Sequence, residues 1–182
     1  MRLGILSDTH DRVFQTQRAI ELLRNEGAET LAHCGDITGP EILEVCAVLP
    51  CYFTFGNHDA DNVPLLKRAA ADLGSVCLGW GDVIELADKR IGVAHGHMTS
   101  DMRRVRMKEP DYFLFGHSHI ANDRREGPTR FINPGAFREV DELSVALLDL
   151  ITGELKFLTI PDTCLNEPAV EDCSDASAAE GE

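Results

Sequence analysis

Short apolar runs alternate with stretches of helical periodicity through the first half of the chain. Residues 3–6 read as a buried strand, and residues 14–23 set Ala19, Ile20, Leu22 and Leu23 on one helical face. Residues 30–34 read as a second strand, and residues 40–49 as a helix with Pro40 at its start. A strand over 51–55 and a helix over 63–73 complete a third strand-then-helix unit. Such a succession predicts an α/β fold with a parallel sheet and helices on its faces. The second half changes character. Residues 83–86 and 91–94 flank the turn Asp88-Lys89-Arg90, and residues 144–150 and 156–160 flank Thr152-Gly153, so each pair predicts an antiparallel hairpin. No internal repeat is visible.

A chain of 182 residues fits one domain with a real core, and its 43% apolar and 26% charged residues are too polar a mixture for a membrane span. The pattern ends near residue 161. The remainder is rich in Asp, Glu, Ser and Ala without apolar periodicity, and reads as an acidic, flexible tail over 162–182. That tail holds seven acids and no Lys or Arg, half of the formal net charge of −14. The body is therefore acidic as well, and it repels polyanions, so no nucleic-acid duplex is expected as a partner. The basic clusters Arg103-Arg104-Val105-Arg106 and Arg124-Arg125 read as solvated faces rather than a binding stripe. If the substrate is anionic, bound cations must supply the positive potential.

The six cysteines, Cys34, Cys46, Cys51, Cys77, Cys164 and Cys173, are irregularly spaced with no Cys-x-x-Cys pair, and read as reduced small hydrophobes. A polar motif begins already at Ser7, which leaves no room for a secretory signal, so a cytoplasmic location is expected.

The residues that could carry chemistry directly follow the apolar strands. Asp8-Thr9-His10, Asp36, Asn57-His58-Asp59, His95-Gly96-His97 and His117-Ser118-His119 each stand at a strand end. In an open α/β sheet the carboxyl ends of the strands form the crevice where ligands bind, so these groups are expected to converge. Asp8 and His10, like His117 and His119, are two apart, and on an extended segment such residues share a side and could grip one metal. Imidazole and carboxylate with one carboxamide suit a first-row transition metal better than Ca²⁺. Taken singly, an Asp after a strand is commonly a helix N-cap and a His a hydrogen-bonded core or rim residue. His33 reads as a satisfied buried histidine, and Asn133 as a turn residue beside Pro134-Gly135 that could also line the site.

Asp8-x-His10, Gly35-Asp36, Gly56-Asn57-His58-Asp59, Ala94-His95-Gly96-His97 and Gly116-His117-Ser118-His119, in this order, resemble the calcineurin-like metallophosphoesterases. In order and spacing the set is similar to their compact bacterial and archaeal phosphodiesterase subfamily, whose fold the retromer small subunit shares. Asn133-Pro134-Gly135-Ala136 resembles a further loop of that group. The resemblance implies two packed mixed β-sheets flanked by helices, a four-layer α/β/β/α sandwich, over residues 1–161. It implies two divalent transition-metal ions, with Mn first and Fe, Ni or Zn as alternatives. Asp8, His10, Asp36 and His119 would hold one ion, and Asp36, Asn57, His95 and His117 the other, with Asp36 shared. Such a pair, ~3.5–4 Å apart, activates a hydroxide that attacks phosphorus in line. His58 would protonate the leaving alkoxide or stabilise an equatorial oxygen. Compact members often carry another residue at that position, so His58 is a departure toward the wider superfamily. Asp59 would orient a histidine, and His97 would touch substrate or support a ligand. The implied function is a phosphodiesterase acting on a small phosphoester; a catalytically weak interaction scaffold on the same fold is the alternative.

Overall fold

A computed structural model describes residues 1–160. The expected tail, with Cys164 and Cys173, lies outside the described residues. Strands β1 (Arg2–Leu6), β2 (Thr30–His33), β3 (Cys51–Phe53) and β4 (Val76–Cys77) are parallel neighbours. Helices α1 (Val13–Asn25), α2 (Pro40–Cys46) and α3 (Val63–Leu73) connect them. A hairpin of β10 (Ser144–Asp149) and β11 (Leu155–Thr159) returns to the far side of β1, giving a six-stranded sheet in the order β11-β10-β1-β2-β3-β4. The second sheet joins β5 (Asp82–Leu86), β6 (Lys89–Val93), β7 (Tyr112–Leu114), β8 (Asn122–Glu126) and β9 (Thr129–Asn133) in the order β5-β6-β7-β9-β8. Its inner strands β6, β7 and β9 are parallel, and both edge strands are antiparallel.

Strand periodicity sorts side chains into layers. From β1, Leu3 and Ile5 face the second sheet, where they pack with Ile91, Val93, Leu114 and Ile132. Leu6 faces the other way, into a core shared with Ala19, Ile20 and Leu23 of α1 and Ile42 of α2. On the outer face of the second sheet, Phe113 and Phe131 stack at 5.1 Å with planes 14° apart, and Val105 from α4 (Thr99–Arg106) closes over them. The result is the four-layer α/β/β/α sandwich. No helix among the described residues is long and apolar enough to cross a membrane.

Helix α4 and the β8–β9 hairpin were not predicted by the hydrophobic pattern, for a physical reason. Only Val105 of α4 is buried, so its charged face hides the helical period. Strand β8 reads Asn-Asp-Arg-Arg-Glu and is an exposed edge. These two elements bring the basic clusters together without forming a free cationic stripe. Arg106 and Arg124 both pair with Glu126, at 2.8 and 3.0 Å, and Arg124 lies over the Phe115 and Phe131 rings. Among the described residues Cys34, Cys46 and Cys51 are buried free thiols and Cys77 is partly buried and free, as expected for these four.

Candidate metal centre

The parallel strands of both sheets end at one edge of the sandwich, and their loops interlock there. Asp8 N–H donates to the Gly35 carbonyl at 3.0 Å, His10 N–H to the Asp36 carbonyl at 3.1 Å, and Gly116 N–H to the His95 carbonyl at 2.8 Å. His117 N–H donates to Asp8 Oδ2 at 3.1 Å, tying the second sheet's loop to the first sheet's carboxylate. Asp8 and Asp36 cap no helix: the N-cap positions of α1 and α2 are Arg12 and Gly39. Nor do the paired residues converge by extended alternation. Asp8, His10, Asp36, His117 and His119 have φ of 55°, 45°, 56°, 65° and 59°, so left-handed kinks, not strand geometry, aim their side chains inward. Close approach needs glycine at two points. A Cβ on Gly56 would overlap Asp36 Oδ1, and one on Gly116 would overlap Ser7 Oγ.

Three overlapping groups of donors result: Asp8, His10 and His119; His10, Asp36 and His58; and Asp8, Asp36 and His95. Within each group the donor atoms lie within 4.8 Å of one another. Asp36 Oδ2 is 3.3 Å from His95 Nε2 and 3.6 Å from His10 Nε2, so it stands between two histidines. Asp8 Oδ1 is 3.3 Å from His119 Nε2. Asn57 Oδ1 is 3.2 Å from His95 Nε2. The His117 ring is 5.2 Å from that of His95, centroid to centroid. His58 is exposed, its ring 5.0 Å from that of His10, and its backbone N–H donates to Asp36 Oδ1 at 2.9 Å.

Electrostatics reflect this crowding. Burial works against the Asp36 carboxylate, but hydrogen bonding and charge from His95, with the His58 N–H, bring its pKa down to about 2. Burial likewise opposes a charged His95, yet Asp36 and Asp8 outweigh it and raise its pKa. His95 Nδ1 lies 2.9 Å from the Cys34 carbonyl, which can only accept, so Nδ1 carries hydrogen and Nε2 faces the carboxylates. The donor set fits a cation on a further observation. Asp8 Oδ1 and His10 Nε2 are buried among these groups without a hydrogen-bond partner among the described residues, a costly state that ligation relieves.

The supporting residues follow expectation only in part. Asp59 touches no histidine through a hydrogen bond. Its carboxylate accepts from the backbone N–H groups of Asp36, Ile37, Thr38 and Gly56 at 2.7–2.9 Å, so it shapes the loops that present Asp36 and Asn57. Burial pushes its pKa up, and those N–H donors oppose the rise. Asn133 takes the expected turn role and, fully buried, supports the site from behind instead of lining it. Its Oδ1 closes the turn at Gly135 N, and its Nδ2 donates to the Gly116 carbonyl and to Ser118 Oγ, propping the His117–His119 loop. His33 is fully buried and bonded to Thr9 Oγ1 and Gly35 N–H, as expected. His97 lies beside His95 and His117, and its other neighbour is Trp80, a residue the motifs did not single out.

Comparison with known proteins places the fold in a family. Residues 1–153 match the calcineurin-like phosphoesterase superfamily domain. A phosphodiesterase of Methanocaldococcus jannaschii is 29% identical over 139 residues, covering 74% of this chain and 83% of that one. A solved archaeal phosphodiesterase superposes with a TM-score of 0.78 at 26% identity, over 87% of this chain and 99% of the other. Two further structures share the fold. Phosphoesterase YfcE of Escherichia coli has a TM-score of 0.64 at 19% identity, over 88% of this chain and 100% of its own. Vps29 of Entamoeba histolytica, solved in complex with Zn²⁺, has a TM-score of 0.55 at 20% identity, over 88% and 98%. With the family model spanning most of its length, the chain belongs to the calcineurin-like phosphoesterase superfamily, the hydrolases of phosphate esters.

Proposed function

We propose that this chain is a metal-dependent phosphodiesterase of small phosphoesters, with Asp8, His10, Asp36 and His119 holding one divalent ion and Asp36, Asn57, His95 and His117 a second. The observation that carries the reading is the pair of buried donors, Asp8 Oδ1 and His10 Nε2, which have no hydrogen-bond partner among the described residues and are set within ligand distance of His119, Asp36 and His95. Imidazole, carboxylate and carboxamide donors without thiolate favour Mn²⁺ first, then Fe, Ni²⁺ or Zn²⁺. When bound, such ions supply Lewis acidity toward the phosphoryl oxygens and an activated water. The protein's own part is to hold the ester in register and manage a proton. His58, at the exposed mouth, exchanges protons with solvent and delivers one to the leaving alkoxide. Asp59 and Asn133 keep the loops in the shape that presents these groups. Because the body is acidic, the bound ions must supply the positive potential that a small anionic substrate needs.

The decisive test combines elemental analysis with hydrolysis of bis-p-nitrophenyl phosphate after loading with each of the four metals. We expect two ions per chain and turnover that Asp36→Asn abolishes. His58→Ala should lower kcat by about 10²–10⁴ on an alkyl phosphodiester, whose alkoxide needs a proton to leave, while keeping both ions and affecting bis-p-nitrophenyl phosphate, with its stable phenolate leaving group, far less. Hydrolysis with none of the metals rejects the proposal and leaves the scaffold reading that the Vps29 fold allows, and hydrolysis undiminished in Asp36→Asn rejects the assigned metal centre.

A further inference from the structure

Trp80 is the single tryptophan of the chain, and 37% of it is exposed although it is the largest apolar side chain available for a core. It stands on a loop between Gly79 and Gly81, at φ of 62° and 129°. That loop is held firmly. The Gly79 carbonyl accepts from Phe55 N–H and Thr54 Oγ1, both at 2.8 Å, and the Gly81 carbonyl accepts from Arg104 Nη1 at 2.7 Å. The indole is braced by Phe55 at 5.5 Å and by His97 at 5.8 Å, and the His97 ring lies 5.4 Å from that of His95. A rigid, part-exposed aromatic thus stands two ring contacts from the metal centre, a separation within the reach of one nucleoside. Between them, His97 Nδ1 is a buried polar atom with no hydrogen-bond partner among the described residues. Met98, the next residue, is 49% exposed and widens the apolar rim.

We propose that Trp80 is a specificity-determining platform on which the planar base of a nucleotide phosphoester stacks while its phosphate sits at the metal centre; this rests on the phosphodiesterase reading above. Every base presents a π-face, so stacking on indole selects nucleotides over alkyl esters without selecting among bases. The formal charge of −14 disfavours a long polyanion, which limits the ligand to a nucleotide or a short diester.

Because Trp80 is the one indole, its fluorescence reports on the platform directly. Titrating the metal-loaded protein with adenosine 5′-monophosphate should quench the emission saturably, and ribose 5-phosphate should not. The kinetic arm compares p-nitrophenyl thymidine 5′-phosphate with methyl p-nitrophenyl phosphate, which share a leaving group. Trp80→Ala should lose about tenfold more kcat/KM on the nucleoside ester than on the methyl ester, mainly through KM, and Trp80→Phe should recover most of it. Equal quenching by both phosphates, no quenching, or equal losses on both esters overturns the platform. Should the wild type hydrolyse neither ester, the phosphodiesterase reading fails, while quenching by adenosine 5′-monophosphate still decides the platform.

Discussion

The residues of the centre adopt left-handed backbone conformations that few non-glycine residues take, Asp and His more readily than most. A left-handed φ at a non-glycine residue costs roughly 1–2 kcal/mol, and Asp8, His10, Asp36, His117 and His119 all adopt one. The surrounding hydrogen bonds sustain this: Asp59 alone gathers four backbone N–H groups around the Asp36 loop. His33 is part of the same support. Gly35 N–H donates to its Nδ1, so Nε2 carries the hydrogen and donates to Thr9 Oγ1, a neutral tautomer. Burial is the main cause that drives its pKa down to about 3 from an ordinary 6.5. The unfolded state then binds the extra proton between those two values, so this contribution is complete above pH 6.5 and is lost as pH falls toward 3. By pH 5 it should cost about 2 kcal/mol. Urea denaturation at pH 7 and pH 5 checks this: His33→Gln should show a stability loss between the two pH values smaller by that amount, and an identical loss in both proteins would refute it.

Elements were legible in proportion to how much of their surface is buried on a regular period. Strands β1, β2 and β3 and helices α1 and α3 carry strong apolar patterns, and they formed where the pattern placed them. Both predicted hairpins are present: the first turns at Ala87-Asp88 instead of Asp88-Lys89-Arg90, and the second extends the first sheet beyond β1. Helix α4 and strand β8 escaped notice because each spends most of its residues on solvent and on ion pairs. The β5–β6 hairpin shows a local compromise. Leu86 pairs with Lys89, so the turn is Ala87-Asp88, with φ of 49° and 59° at its two central residues. That is the left-handed pair of a type I′ turn, for which alanine is poorly suited and asparagine well suited. Ala87→Asn should therefore stabilise the protein by roughly 0.5–1 kcal/mol, a fraction of the left-handed penalty. Thermal denaturation tests it, and a lowered Tm would contradict the turn assignment.

Across the whole molecule, the centre is where the two sheets are fastened together, since Asp8 and Asp36 come from one sheet and His95, His117 and His119 from loops of the other. A ligand that binds only this assembled edge stabilises the fold through mass action. Mn²⁺ at a hundredfold over its Kd should contribute about 2.7 kcal/mol per site, a rise in Tm of roughly 5–11 °C for a chain of this size. Differential scanning fluorimetry with Mn²⁺ and then a chelator measures the gain and its reversal, and an unshifted Tm would count against cation binding. By itself the sequence determined the α/β class, the strand ends that carry chemistry and the set of Asp, Asn and His residues, because hydrophobic periodicity and donor chemistry are local properties. Only the tertiary structure decided how those residues meet. The left-handed kinks, the contact of Asp59 with backbone rather than with a histidine, the prop from Asn133 and the position of Trp80 beside His97 all depend on loops from distant segments pressing on one another. No local pattern encodes such contacts, since their partners lie well apart along the chain.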